Sequence, residues 1–189
     1  YYLSEVLKLN VKIIGIDLKK EGIEHCNNIS KKLNFNNLSF IYGDVIDYEN
    51  KDEIDMVISL HACNTATDIA ILKALGWNAK VFFAVPCCQK EINSQLGNEF
   101  LPFMLKHGII KEKFSTLLTD SIRSEVLEAF GYKSDIVEFI SEENTPKNQL
   151  IRAYKVNNTI DTKKIEKLEK FTSSLNIKMF LLEEVSKLI

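Results

Sequence analysis

Proline and glycine are scarce in this sequence, with three prolines and seven glycines among 189 residues. Disordered segments need such residues or a shortage of apolar ones, and here 46% of the chain is hydrophobic, so long flexible linkers are excluded. No apolar run approaches the ~20 residues of a membrane-spanning helix, and no membrane association is expected. Neither sign of charge dominates: 24 basic residues face 26 acidic ones, for a formal net charge of −2. That balance excludes a chain that grips nucleic acid by bulk charge, but not one with a local basic face or a helping partner domain. Cysteine is also sparse, with Cys26, Cys63, Cys87 and Cys88 only. Adjacent cysteines rarely bridge each other, so no disulfide framework follows, and the thiols are expected to be reduced in a cytoplasmic protein.

What remains is a composition suited to one globular domain with a sizeable core. Strand-like and helix-like runs alternate, which predicts an α/β fold with a mainly parallel sheet. Tyr1 to Leu9 reads as the end of a helix. Strands are expected at Val11–Asp17, Leu38–Tyr42, Ile54–Leu60 and Ala79–Val85. Helices are expected over Lys20–Leu33 and from about Ala66 to Leu75, the latter stopped by Gly76. Two more are expected at about Ile92–Lys106 and Asp120–Phe130, with Gly131 as the residue that ends the second. Asp135–Ile140 and Gln149–Val156 are strand-like and too close for a crossover helix, so they should be antiparallel neighbours. Thr162–Ile189 reads as two amphipathic helices. The expected division is a domain over 1–156 and a helical extension over 157–189 packed on it.

In open parallel sheets, ligands bind beyond the carboxyl ends of the strands. Those ends carry Asp17, Asp44, His61-Ala62-Cys63 and Pro86-Cys87-Cys88-Gln89. An acid such as Asp17 can accept both ribose hydroxyls of a nucleoside cofactor, or can merely end a strand in solvent. Asp44, after Gly43, can face an adenine amino group or close a turn. The glycine-rich phosphate loop of such folds lies about 20 residues before the acid. Counting back from Asp17 passes Tyr1. A central strand and its loop are therefore expected upstream in the same protein, completing the sheet, and cofactor binding without them is expected to be poor.

Four blocks carry a resemblance. Ser59-Leu-His-Ala-Cys-Asn-Thr-Ala-Thr-Asp68, Val85-Pro-Cys-Cys-Gln89, Thr119-Asp-Ser-Ile-Arg123 and Thr145-Pro-Lys-Asn-Gln-Leu-Ile-Arg152 resemble a family of class I S-adenosylmethionine-dependent methyltransferase domains. Bacterial RNA methyltransferases and eukaryotic methyltransferase-like proteins are among its members. The first two blocks are also loosely similar to the tRNA acceptor-stem 2′-O-methyltransferase, although Asn64 and Thr65 break that pattern. The resemblance implies a Rossmann-like sheet with a final antiparallel hairpin and S-adenosylmethionine as cofactor; RNA is the expected substrate.

On that basis Asp17, Leu18, Asp44, Val45, Leu60 and His61 are the expected cofactor contacts. His61 and Cys87 are the catalytic candidates. His61 can serve as general base for a hydroxyl acceptor, or can simply hold its loop. Cys87 can attack C6 of a pyrimidine, or be soft packing. Asp68, Cys88, Gln89, Arg123 and Lys147 are the expected substrate contacts. Each has a plainer reading: Thr65-Ala-Thr-Asp68 is a capping box, Asp120 and Arg123 are spaced to pair on a helix face, and Lys147 is a surface charge. No metal site is expected, since His61, Cys63, Cys87 and Cys88 match no common zinc spacing. The lysines at 163, 164, 167 and 170 alternate with Glu166 and Glu169, as on a solvated helix face. The function expected is methyl transfer to RNA, on a ribose hydroxyl or a base. The alternatives are a degenerate fold serving protein interaction, and a methyltransferase for small molecules or proteins.

Overall fold

The β-branched and aromatic runs of the first fifty residues form two strands, β1 (Ile13–Asp17) and β2 (Leu38–Tyr42). They pair in parallel, Ile13 opposite Leu38 and Asp17 opposite Tyr42. A parallel pair needs a crossover, and α1 (Lys20–Lys32) supplies it. Its buried residues are Ile23 and Ser30, and the Ser30 hydroxyl reaches the carbonyls of Phe35 and Leu38. The Asn27 amide occupies the outer edge of β2, donating to Phe40 O at 2.8 Å and accepting from Phe40 N at 2.9 Å. Those two bonds satisfy edge groups that would otherwise offer a pairing site. In β1, Gly15 lies opposite Phe40 and leaves room for its ring, which a Cβ would meet at 2.5 Å.

The computed structural model describes residues 1–189 except 51, 63, 98–100, 142–144, 146 and 147. The chain divides into two compact units, Tyr1–Asn50 and Lys51–Ile189. The second unit contains β3 (Met56–Leu60), α2 (Thr65–Gly76), β4 (Val81–Val85), α3 (Lys90–Gln95), α4 (Pro102–Leu105), α5 (Gly108–Ala129), β5 (Tyr132–Glu138), β6 (Gln149–Lys155), α6 (Thr162–Ser174) and α7 (Phe180–Val185). Its sheet order is β3-β4-β6-β5. β3 and β4 are parallel, and β6 runs antiparallel to both β4 and β5. β5 therefore points the same way as β3 and β4, and β6 alone of the four is reversed. Among the described residues β1 pairs only with β2, and β3 only with β4.

Strand alternation sorts the second sheet into two faces. Phe82, Ala84, Ile151 and Ala153 lie on one face, fully buried where α2 and α5 pack. Each large apolar side chain buried this way contributes roughly 1.5–3 kcal/mol. Met56, Ile58, Leu60 and Tyr154 lie on the other face and remain exposed. α6 packs on α5 and α7 on α2, adding Ile165, Leu181, Leu182 and Val185 to the core. The Gln95 amide locks the link between them, donating to Lys178 O and accepting from Lys178 N at 2.7 Å each. None of the described helices is long and apolar enough to cross a membrane.

Three expectations about elements need correction. The opening helix is a five-residue π-helical turn, Tyr2–Val6. The region expected as one helix over Ile92–Lys106 holds α3 and α4, the latter started by Pro102 at its first turn. α5 begins at Gly108, twelve residues before the expected Asp120. Its early residues, with two isoleucines, Ser115 and two threonines, are weak helix formers and hid the helix from a propensity reading. Ser115, Thr116 and Thr119 turn their hydroxyls back onto the carbonyls four residues earlier, so they do not compete with the helix. A smaller difference concerns Gly76, which is the last residue of α2; Asn78 takes the left-handed conformation instead.

Candidate functional site

In the first unit, β1 and β2 end side by side, and the Gly43 amide donates to Asp17 O at 3.2 Å. This brings Asp17 and Asp44 to the same edge of one parallel pair. Asp17 Oδ1 accepts from Lys19 N at 2.7 Å, which fixes the carboxylate at the strand end while leaving it exposed to solvent. Asp44 Oδ1 accepts from Ile46 N at 3.0 Å and starts a short 3-10 turn, Val45–Asp47. Leu18 is 64% exposed beside Asp17, and Val45 is half-buried beside Asp44. Two acids flanked by apolar residues suit a ligand with hydroxyl or amino donors and an apolar face. A ribose and an adenine have those properties, so this pair of acceptors fits a nucleoside cofactor.

In the second unit, the turns after β3 and β4 lie together. His61 N donates to Val85 O at 2.9 Å, and the Cys87 thiol lies 3.6 Å from His61 O. Leu60 is exposed on the last residue of β3. His61 takes φ 53°, a conformation histidine tolerates better than most residues. Cys87 and Cys88 are both half-exposed, with their sulfurs 3.7 Å apart. Gln89 is buried, donating to Asp120 at 3.4 Å and accepting from Thr116 at 3.0 Å. Lys147 and Cys63 lie outside the described residues.

Beneath these turns lies an ionic cluster. Arg123 Nε donates to Asp68 Oδ1 at 2.7 Å, Nη1 to Asp120 Oδ1 at 2.9 Å, and Nη2 to Asn64 O at 3.1 Å. All three charged side chains are 1% exposed. Burial pushes the Asp68 and Asp120 carboxyls above their ordinary range, and Arg123 pulls them back only in part. Burial also works against the Arg123 charge, yet the two carboxylates hold it above its usual value. One oxygen of Asp68, Oδ2, is buried without a hydrogen-bond partner.

The cluster changes the reading of four residues. Asp68 closes no capping box: Asn64 is the residue before α2, and the Asp68 carboxylate is committed to Arg123. Asp120 and Arg123 do pair three residues apart, but in the interior and not on a helix surface. As placed, neither Asp68 nor Arg123 presents a surface to a substrate. Asn64 has φ 53° and ψ −124°, a strained conformation for a residue with a side chain. Its carbonyl is held by Arg123, and its Oδ1 accepts from Glu91 N at 3.2 Å. The cluster thus braces the turn that follows His61. Nothing in a propensity reading singled out Asn64 or Thr116. The sequence does hold a signal for the cluster, since Arg123 shares the helical stripe of Thr119, Val126 and Leu127, all buried.

A methyltransferase-domain family model matches residues 1–95, which span the acid pair, the His61 turn and the Pro86–Gln89 turn. No curated protein matches the sequence. An rRNA methylase from Streptococcus thermophilus is similar in structure, with a TM-score of 0.50 and 14% identity, over 77% of this chain and 74% of that one. The small RNA methyltransferase HEN1 is also similar, with a TM-score of 0.50 and 15% identity, over 84% of this chain and 22% of that one. Identities this low speak for the fold alone, and they agree with the α/β architecture. Because the sequence match itself covers half of the chain, including both pairs of strand ends, the chain belongs to this family of methyltransferase domains.

Proposed function

We propose that this chain transfers the methyl group of S-adenosylmethionine to RNA, in the cytoplasm. The observation that carries the cofactor reading is the pair of acids at the adjacent ends of β1 and β2, within a family of methyltransferase domains. Asp17 accepts the ribose hydroxyls, Asp44 faces the adenine amino group, and Leu18 and Val45 offer apolar contact. S-adenosylmethionine supplies an electrophilic methyl on a sulfonium sulfur. Transfer then needs an acceptor atom aligned with that methyl, and a base only where the acceptor keeps its proton. His61, at the end of β3 after Leu60, is the group assigned to take a proton from a ribose hydroxyl. The RNA part of the reading is supported by the printed activities of the two similar structures, an rRNA methylase and a small RNA methyltransferase.

Asp17→Ala is expected to weaken S-adenosylmethionine binding by about 1–3 kcal/mol, the cost of stranding hydroxyl partners. Calorimetry on the full-length protein measures it, and unchanged affinity would remove Asp17 from the site. No heat from the unmutated protein would sink the cofactor reading itself.

Cys87→Ser is expected to leave methyl transfer largely intact, because the Cys87 thiol is directed at the His61 carbonyl, 3.6 Å away, a contact that a serine hydroxyl can also make. Complete loss, together with a covalent adduct trapped on pyrimidine RNA, would instead assign Cys87 the role of nucleophile.

A further inference from the structure

α4 and the first turns of α5 form a ledge beside the Pro86–Gln89 turn. Leu105 anchors it from below at 3% exposure, and Leu101 and Phe114 pack partly against the same core. Two hydrogen bonds tie α5 to the segment after β4: Thr116 to Gln89 at 3.0 Å, and Asn93 to Ser115 at 3.0 Å. The outward side of the ledge is unusual for a surface. Phe103 is 83% exposed and Ile109 is 69% exposed, so an aromatic face and an aliphatic side chain stand in solvent. The same stretch, 101–114, carries Lys106, Lys111 and Lys113, the first and last exposed and Lys111 half-exposed, with Glu112 its sole acid. Among the described residues those three lysines enter no ion pair, unlike Lys164 on α6, which pairs with Glu125 and Glu128. The ledge is thus positive on a chain whose net charge is −2.

Resting on the RNA reading above, we propose that this ledge holds a single-stranded stretch of the substrate RNA. Phe103 stacks on an unpaired base, and the three lysines hold the flanking phosphates. An open aromatic ring among unpaired cations is the combination that single-stranded nucleic acid requires, since every base offers a stacking face and every nucleotide a charge. A duplex hides its base faces, so Phe103 favours the single strand over the duplex. The tie to Gln89 carries the bound strand toward the turn that holds Cys87 and Cys88.

The test measures binding of a short fluorescent single-stranded RNA, and of its duplex, to the full-length protein by anisotropy over a range of salt. Three variants are compared with the unmutated protein: Phe103→Ala; a triple Lys106→Glu, Lys111→Glu, Lys113→Glu; and a control triple with Lys163, Lys167 and Lys170 on α6 changed to Glu. Phe103→Ala is expected to lose roughly 5–100-fold in single-strand affinity and to change duplex affinity little. The ledge triple is expected to lower the slope of log affinity against log salt by about 2, as for three phosphate contacts on a single strand. The control triple is expected to retain most of the affinity. All the changed residues are exposed except Lys111, which is half-exposed, so the melting temperatures should match and serve as a check on folding.

If the unmutated protein binds RNA and the ledge variants bind it equally well, the ledge assignment is wrong and the RNA reading stands. Equal losses in both triples would also overturn it, by showing a general charge effect. If the unmutated protein binds no RNA, both readings fall. Binding to vesicles of anionic lipid, lost in the ledge triple while RNA binding is kept, would assign the ledge to a membrane surface instead.

Discussion

Arg123→Met is expected to destabilise the protein by about 3–5 kcal/mol, read by urea unfolding near neutral pH. The substitution preserves much of the side-chain volume and removes the charge that faces Asp68 and Asp120. Both carboxylates then remain in the interior, where an unpaired charge is most costly. The same change also frees Asn64, whose strained backbone Arg123 holds through its carbonyl, so the turn after His61 should loosen. A companion variant separates charge from packing. Replacing Arg123 by Met and both aspartates by Leu removes every charge of the cluster, and such apolar replacements are often near neutral. If the triple variant is as unstable as Arg123→Met, the loss comes from packing and not from stranded charge.

The cost of Arg123→Met should depend on pH with a definite sign. Burial raises the folded pKa of Asp68 and Asp120 above 3.8, while Arg123 lowers it. A carboxyl with a raised folded pKa adds stability that is complete below its unfolded value and is lost as pH rises through its folded value. Without Arg123 both folded values rise further, so the loss on going to neutral pH becomes larger. The gap between the variant and the unmutated protein should therefore be smallest at about pH 4 and widen toward about pH 7. A gap that is constant across this range would mean that the carboxyls do not take up protons when Arg123 is removed.

Gly131→Ala is the second large effect, expected to cost about 2–4 kcal/mol by thermal or urea unfolding. Gly131 follows α5 with φ 83°, a region where a Cβ is strained whatever the space. There is also no space: the added Cβ would lie 2.3 Å from Asn157 O and 2.6 Å from the Asn157 side chain. The neighbour cannot retreat, because Gly131 O accepts from Val156 N at 2.9 Å and Asn157 N at 3.2 Å. Those bonds fasten the end of β6 to the start of β5, next to the Tyr132 hydroxyl that donates to Ala79 O. Burial pushes that phenol up to about 12, so it remains a donor at neutral pH. Loss of less than about 1 kcal/mol would mean that the β6 end moves freely, contrary to the hydrogen bonds around it.

The sequence by itself determined most of the elements, because their signals are local. Apolar runs closed by a polar residue, a glycine or a proline mark β1, β2, β3 and β4, and each is found within two residues of its expected limits. The short spacing before Gln149 excluded a crossover helix, and β5 and β6 do form an antiparallel pair. Gly131 was legible as the end of α5 because only glycine takes that backbone cheaply. The four motif blocks indicated the methyltransferase family; the first two stand at the ends of β3 and β4, and the third lies inside α5.

Tertiary structure alone decided which charges meet in the interior. The stripe that Arg123 shares with Val126 and Leu127 points it inward, but nothing local pairs it with Asp68. That pairing depends on α2 and α5 packing on one face of the sheet, which brings residues 55 positions apart to 2.7 Å. The same packing set the start of α5, where tertiary contacts and hydroxyl back-bonds outweighed weak propensity. It also left Phe103 in solvent while Leu105, two residues on, is buried, since a helix turns neighbouring side chains to different sides. Burial is a property of the assembled layers, and no local pattern carries it in full.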